Sequence, residues 1–455
     1  MTKQIQMTQG HPAKLMLRFA LPLMAGNVFQ QLYTVVDTAI IGQGVGMQAL
    51  AALGTVDWTS WMMLSIAQGM TQGFGVKMAQ KFGQQDEAGL KQTIALSARL
   101  SVILALVLAV ASQLAVPLFL QLLRVPPELR DTAVSYIRTI YLGIPAMMFY
   151  NFCASVLRSV GDSQTPLRAM ILASLSNIVL DCVAVFALGW GVVGAALATV
   201  LAQCMAGTFC AVKMWKNPTL RFDRSHFVAE RGSNWQLLGL GTPMAAQNIV
   251  ICIGGMTLQS IVNGFGTTFI AGYTATNKLY GLLEIAAVSY GFAVTTYTGQ
   301  NFGAKEYARI RRGTSWAVLV SLATSAVIAV CMLVFGRSIT MLFISADSVA
   351  LELAAGEVAY RYLCVMSYCL PVLYLLYAYR SALQGMGNMM IPMLSGGVEL
   401  VMRVGAAWIA GSIAWQEGIF LAEVFAWSGA ALLLAVAYYV SVAKLKKLEP
   451  QGKSC

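Results

Sequence analysis

Charge is what this sequence has least of. Asp, Glu, Lys and Arg together make up 11% of its 455 residues, against about 25% in a soluble globular chain. That shortage excludes a water-facing surface of the ordinary kind, so most of the surface must meet lipid. Histidine is nearly absent, with only His11 and His226, each isolated in a polar segment. Nine cysteines are present but no C-x-x-C, so neither a zinc module nor a disulfide framework is indicated. Cys153, Cys182, Cys204, Cys210, Cys252, Cys331, Cys364 and Cys369 fall in or beside apolar segments, with Cys455 at the end. They read as small hydrophobes. No Walker motif, no G-x-S-x-G and no metal-ligand spacing occurs, which argues against an enzyme, a bound cofactor or ATP hydrolysis within this chain.

What remains is apolar. Hydrophobic residues reach 58% and the mean hydropathy is +0.68. Residues 101–123, 182–212 and 314–336 carry no charge at all. Each run exceeds the roughly 20 residues with which a helix crosses about 30 Å of hydrocarbon. The runs do not alternate as barrel strands do, so they predict helices. Apolar runs and Gly, Pro or polar breaks predict an all-α membrane protein of about twelve spans. The first six are 15–41, 49–75, 94–122, 133–156, 167–189 and 192–214; the second six are 236–262, 269–297, 314–336, 355–379, 391–412 and 419–442. The expected organisation is a six-helix lobe over 1–215, a polar linker at 216–235 and a second lobe over 236–455. The apolar stretch at 15–41 is too long for a signal-peptide core and is read as the first span.

The net charge of +11 invites a nucleic-acid reading, which its distribution dismisses. Alternate loops hold about 23 of the 30 basic residues, including Lys77, Lys81, Arg158, Lys213–Arg231, Lys305–Arg312, Arg380 and Lys444–Lys453. The other loops hold only Arg124, Arg130, Arg138, Arg337 and Arg361. This is the positive-inside bias, and it predicts both termini in the cytoplasm.

The two halves repeat each other. Pro22 matches Pro243 at an offset of 221 and the Gln80-x-Phe82-Gly83 run matches Gln300-x-Phe302-Gly303 at 220. Pro145, Gly161 and Pro166 match Pro371, Gly387 and Pro392, each at 226. With an even number of spans per half, the repeats run parallel about a pseudo-twofold axis normal to the membrane. A substrate cavity between rocking lobes is the corresponding expectation.

Polar groups at membrane depth mark functional candidates. Asn27, Gln30, Gln31, Thr34, Asp37 and Thr38 recur at helical spacing along span one. Span five carries Ser174, Asn177 and Asp181 on one face, and span six Thr199 and Gln203. If Asp37 and Asp181 meet, the pair can bind and release a proton, or join Asn177 and Thr199 as oxygen ligands for a small cation. Interhelical hydrogen bonding is the plainer alternative. The second half has Leu258 where the first has Asp37, so the cation chemistry is not expected twice. It carries instead Asn277, Lys278, Tyr280 and Glu284 in span eight, and Glu399 with Arg403 at i, i+4 in span eleven. That last pair reads first as an internal ion pair, and second as cavity lining.

These residues resemble the multidrug and toxic compound extrusion family across about residues 14–445. The resemblance rests on Leu21-Pro22, Val36-Asp37-Thr38 with Gly42, Gln80-x-x-Gly83, Gly161-Asp162-Ser163-x-Thr165 and Asn177-x-x-x-Asp181. It continues through Gly194-Ala195-Ala196-x-Ala198-Thr199 and Gly299-Gln300-Asn301-Phe302-Gly303-Ala304. It implies two six-helix lobes and cation-coupled antiport of small organic, often cationic compounds from a plasma-membrane monomer. It also implies a first-lobe cation site of Asp37, Asn177, Asp181 and Thr199, with Tyr136 as a fifth member, and favours H+ over Na+. Span seven lacks a carboxylate, so the acidic second-lobe site of another branch has no counterpart. The alternative expectation is a flippase for a lipid-linked precursor, and a third is a non-transporting receptor or scaffold.

Overall fold

The computed structural model describes residues 5–123, 125–228, 232–341 and 349–447, excluding the side chains of Met47 and Val349. Lys3, Arg124, Arg231, Lys453 and Cys455 lie outside the described residues. Among those described there is no strand, and thirteen α-helices follow one another: α1 (Pro12–Gly44), α2 (Met47–Gly83), α3 (Glu87–Leu122), α4 (Pro127–Leu142), α5 (Ile144–Ser159), α6 (Gln164–Asp181), α7 (Gly191–Trp215), α8 (Ser233–Val262), α9 (Thr267–Gly303), α10 (Tyr307–Met341), α11 (Val349–Gly385), α12 (Met390–Ser412) and α13 (Gln416–Lys446). A π-helical segment, Cys182–Ala187, continues α6.

Nine of these helices are long and apolar enough to span a bilayer, and α4 with α5 makes a tenth, bent by 42°. The bend falls at Gly143, where Pro145 occupies the first turn of α5 and cannot donate to the preceding turn. The two remaining expected spans are α1 and α2, 33 and 37 residues long. Their length suffices, but they fall short in apolarity because α1 carries the Asn27–Thr38 polar stripe and α2 carries Asp57. The most peripheral helices are α3 and α10, each only 17% buried in its apolar stretch. Val102, Leu106, Val110, Leu114 and Leu118 on α3, and Val327, Val330 and Val334 on α10, stand exposed. On a span such residues face lipid at no cost.

The backbone repeats as the sequence does. Gly46 and Gly266, Gln85 and Lys305, and Gly161 and Gly387 all take positive φ, at 112° and 91°, 58° and 59°, and 86° and 86°. Their offsets are 220, 220 and 226, so the same turns recur in both halves. Gly161 also abuts chain: a Cβ there would lie 2.2 Å from the Ile5 carbonyl oxygen.

Two compact units form, Met1–Gln6 with Leu21–Ile249, and Met7–Ala20 with Val250–Cys455. In the first, the start of α8 packs on α2 at backbone contact. A Cβ on Gly69 would lie 2.7 Å from Ala245 N, and one on Gly73 2.5 Å from Gly241 Cα. This Gly69-x-x-x-Gly73 surface is the small-residue packing on which helices in lipid rely, because apolar burial offers no drive there. Asn248 secures it, donating from Nδ2 to the Ser65 carbonyl at 2.9 Å.

In the second unit the segment before α1 is pinned by the Gln300-Asn301 run. Met7 N donates to Gln300 Oε1 at 2.8 Å, and Asn301 Nδ2 donates to Met7 O at 3.1 Å. Arg309 Nη2 donates to Met7 O at 3.2 Å and Gly10 O at 3.0 Å. The family-like run after span eight is thus a clamp on the chain terminus. In the first half Asp162, in the turn before α6, accepts from Thr165 N at 3.0 Å and Thr165 Oγ1 at 2.6 Å.

Candidate functional site

Within the first unit α6 presents one polar face inward: Ser174, Asn177 and Asp181 are buried, Asp181 completely. Both Asp181 carboxylate oxygens lack a hydrogen-bond partner, as do Asn177 Oδ1, Ser174 Oγ and Asp37 Oδ1. Asn177 Nδ2 donates to Thr199 Oγ1 of α7 at 3.4 Å. Asp37 is half-buried near the end of α1, the end against which the segment following Asp181 packs. Tyr136 of α4 is half-buried and packs against the apolar cluster that includes Ile40, Ile41, Val185 and Val192. The five residues expected from the resemblance therefore share one unit.

Local backbone explains how two distant helices bring these carboxyls together. Immediately after Asp181 the helix widens into the π-segment, a feature that often marks functional sites. That segment leans on the end of α1: a Cβ on Gly44 would lie 2.4 Å from Val185 Cγ1 and 2.8 Å from Phe186 Cε1. On its other side Gly194 of α7 admits Ala184, whose Cβ would be 2.9 Å from an added Cβ. Glycines at 44 and 194 thus let α1 and α7 close on α6. The apolar wall around them consists of Ile40, Ile41, Ala49, Val185, Val192 and Ala195.

Two members escape the sequence reading. Tyr33, one turn before Asp37, is half-buried in the same unit. Asp57 of α2, also in that unit, is exposed. Asp57 had a legible signal, a lone acid inside an apolar run; Tyr33 had none, since tyrosine is common at these depths. Of the residues expected to line a cavity, Asn27, Gln30, Gln31 and Gln203 are half-buried and Thr34 is exposed. Thr34 Oγ1 donates back to Gln30 O at 3.0 Å, and Thr38 Oγ1 to Thr34 O at 2.8 Å.

The second unit holds a buried ionic chain. Arg380 of α11 pairs closely with Glu399 of α12, Arg403 lies 3.9 Å from Glu399, and Arg403 Nη2 donates to Glu423 of α13 at 2.8 Å. Gly254 leaves room for this: a Cβ there would be 2.7 Å from Arg403 Nη1. The sequence expectation needs correction here. Arg380, counted among the inner loops, is 6% exposed within α11, and the i, i+4 pair of Glu399 with Arg403 is the loosest link in the chain. Both residues have nearer partners on other helices. Glu284 accepts from Tyr377 Oη at 2.5 Å, while Lys278, six residues earlier, is exposed. Tyr280 stacks on Trp427 at 5.8 Å, and Asn277 Oδ1 accepts from Tyr362 Oη at 3.4 Å.

An all-helical fold, internally repeated and with most helices of bilayer-crossing length, defines a polytopic membrane protein. A family model, MatE, matches twice, over residues 22–183 and 243–409, and its two starts fall on Pro22 and Pro243. The chain belongs to the MatE family. It is 30% identical over 356 residues to the probable multidrug resistance protein YpnP of Bacillus subtilis, covering 76% of this chain and 78% of that one. It is 25% identical over 393 residues to the probable multidrug resistance protein NorM of Thermotoga maritima, covering 84% and 82%. A crystal structure of MATE in complex with MaL6 superimposes with a TM-score of 0.91 at 24% identity, over 98% of this chain and 100% of that one.

Proposed function

We propose that this protein is an antiporter, coupling inward movement of protons to export of small organic, cationic or amphiphilic compounds by alternating access. One observation carries the reading: Asp181 is fully buried and neither of its oxygens has a hydrogen-bond partner among the described residues, with Asp37 in the same unit. A carboxylate held in that state away from water is untenable without a compensating charge. A proton or a small cation must occupy the pair for part of the cycle. The proton is preferred because two neighbouring carboxyls share one readily. Sodium would use the same oxygens with Asn177 Oδ1 and Thr199 Oγ1.

The names of relatives support the substrate class, YpnP and NorM being called probable multidrug resistance proteins. The charge bias supports both termini in the cytoplasm, and the family resemblance supports a plasma-membrane monomer. The test is efflux of a fluorescent organic cation from proteoliposomes, under a pH gradient and then a sodium gradient, for wild type and Asp181→Asn. Efflux driven by the pH gradient and lost in the variant is expected. Efflux unchanged by Asp181→Asn would remove the pair from coupling. Movement of labelled lipid with no dye efflux would favour a flippase.

A further inference from the structure

A pocket of about 500 Å³ opens at the other end of the first unit, where α2 ends, α3 begins and α8 starts. Its walls include Lys77 and Lys81 of α2, Gln92 and Thr93 of α3, and His226 and Ser233 before and at the start of α8, with Leu96 and Leu237 beneath. That volume falls in the range of small-molecule sites. It lies at the helix ends where basic residues concentrate, far along α2 from Asp57.

The charge account around it is uneven. Each acid near it among the described residues has a partner: Asp86, itself in the pocket wall, with Lys81 at 2.6 Å, Glu87 with Lys91 at 2.8 Å, and Asp223 with His226 at 2.8 Å. Asp86 is further occupied as the cap of α3, accepting from Gly89 N at 2.8 Å. Arg99 is directed to Asn234 at 3.1 Å. Lys77 has no ion-pair partner among the described residues, although it is half-buried. A half-buried ammonium with three donors and no acceptor, lining a cavity beside a second ammonium, is a receptor for negative charge.

We infer that this pocket binds a phosphate-bearing anion, seated between Lys77 and Lys81 with Ser233 and His226 as further polar contacts. The chemistry is that of a phosphate monoester or diester: several acceptor oxygens on a compact centre, suited to lysine as a point charge. Two sources can present it, the headgroup of an anionic phospholipid and a soluble phosphate compound. The apolar floor of Leu96 and Leu237 accommodates the carbon beyond the phosphate in either case.

The experiment uses the full-length protein purified in detergent. One arm measures binding of inorganic pyrophosphate, and the other measures retention of phosphatidylglycerol against phosphatidylcholine by native mass spectrometry. Wild type, Lys77→Gln, Lys77→Arg and Lys213→Gln are compared, Lys213 being a basic residue outside the pocket. The expected result is anion binding weakened about tenfold or more in Lys77→Gln, as loss of a charged hydrogen-bond donor implies, restored in Lys77→Arg and intact in Lys213→Gln. Binding confined to pyrophosphate assigns a soluble ligand, and binding confined to phosphatidylglycerol assigns a lipid. No binding in either arm, or equal weakening in Lys77→Gln and Lys213→Gln, would overturn the site. None of these readouts depends on transport, so their failure leaves the antiport proposal untouched.

Discussion

Arg380 and Glu399 pair inside the second unit with side chains 8% and 5% exposed, on helices that the charge pattern alone would not have joined. Arg403 and Glu423 extend the pair across α12 and α13. Removing one member of such a chain leaves the others uncompensated in a medium that cannot solvate them.

Glu399→Gln should therefore destabilise the protein by about 3–5 kcal/mol, the range for breaking a buried ion pair. A detergent melt monitored by size-exclusion would show it. The double variant Arg380→Met with Glu399→Leu should lose less than Glu399→Gln alone, since neither charge is then stranded. A double variant at least as unstable as the single would mean that packing and not charge dominates there.

The contact of Gly44 with Val185 and Phe186 makes a second prediction. Gly44→Val must push the π-segment away from α1 and with it Asp181 away from Asp37. Overpacking of this kind costs about 1–3 kcal/mol, so the variant should still fold. Gradient-driven efflux should nevertheless fall to near background. Gly54→Ala on α2, where an added Cβ meets nothing within 4 Å, is the control and should transport like wild type.

Asp57 and Asp181 should separate by phenotype. Asp57 is exposed, whereas Asp181 is sealed. Asp57→Asn is expected to raise the KM for a cationic dye severalfold while leaving the response to the gradient. Asp181→Asn should abolish the gradient response. Loss of gradient response in both would make Asp57 a third coupling residue.

Asp86 offers a pH test outside the membrane-spanning part. Lys81 and the Gly89 amide hold its carboxyl below the ordinary value of 3.8. A carboxyl depressed on folding stabilises above its unfolded value and loses that contribution as pH falls through the folded one. Asp86→Ala should lower stability by about 1 kcal/mol at neutral pH, as lost helix caps do. The gap between wild type and variant should narrow below pH 3.8. A constant gap down to the lowest pH at which the protein stays folded would mean the cap works without its charge.

Composition alone determined that this chain lives in lipid, because 11% charge leaves no other solvent for its surface. Periodicity and spacing determined helices, their number and the two-fold repeat, since hydrocarbon admits few other backbones and turn glycines must recur where turns recur. The polar face of α6 was legible for the same reason: Ser174, Asn177 and Asp181 are three and four residues apart. What no spacing could tell is which helices touch. Arg380 looked like a loop residue because a span ending at 379 is indistinguishable by hydropathy from one ending at Gly385. Only the packing of α11 on α12 makes it a buried cation. Likewise, the meeting of Asp37 with Asp181 depends on a π-segment and on two glycines that admit close approach, and both are properties of helices against helices.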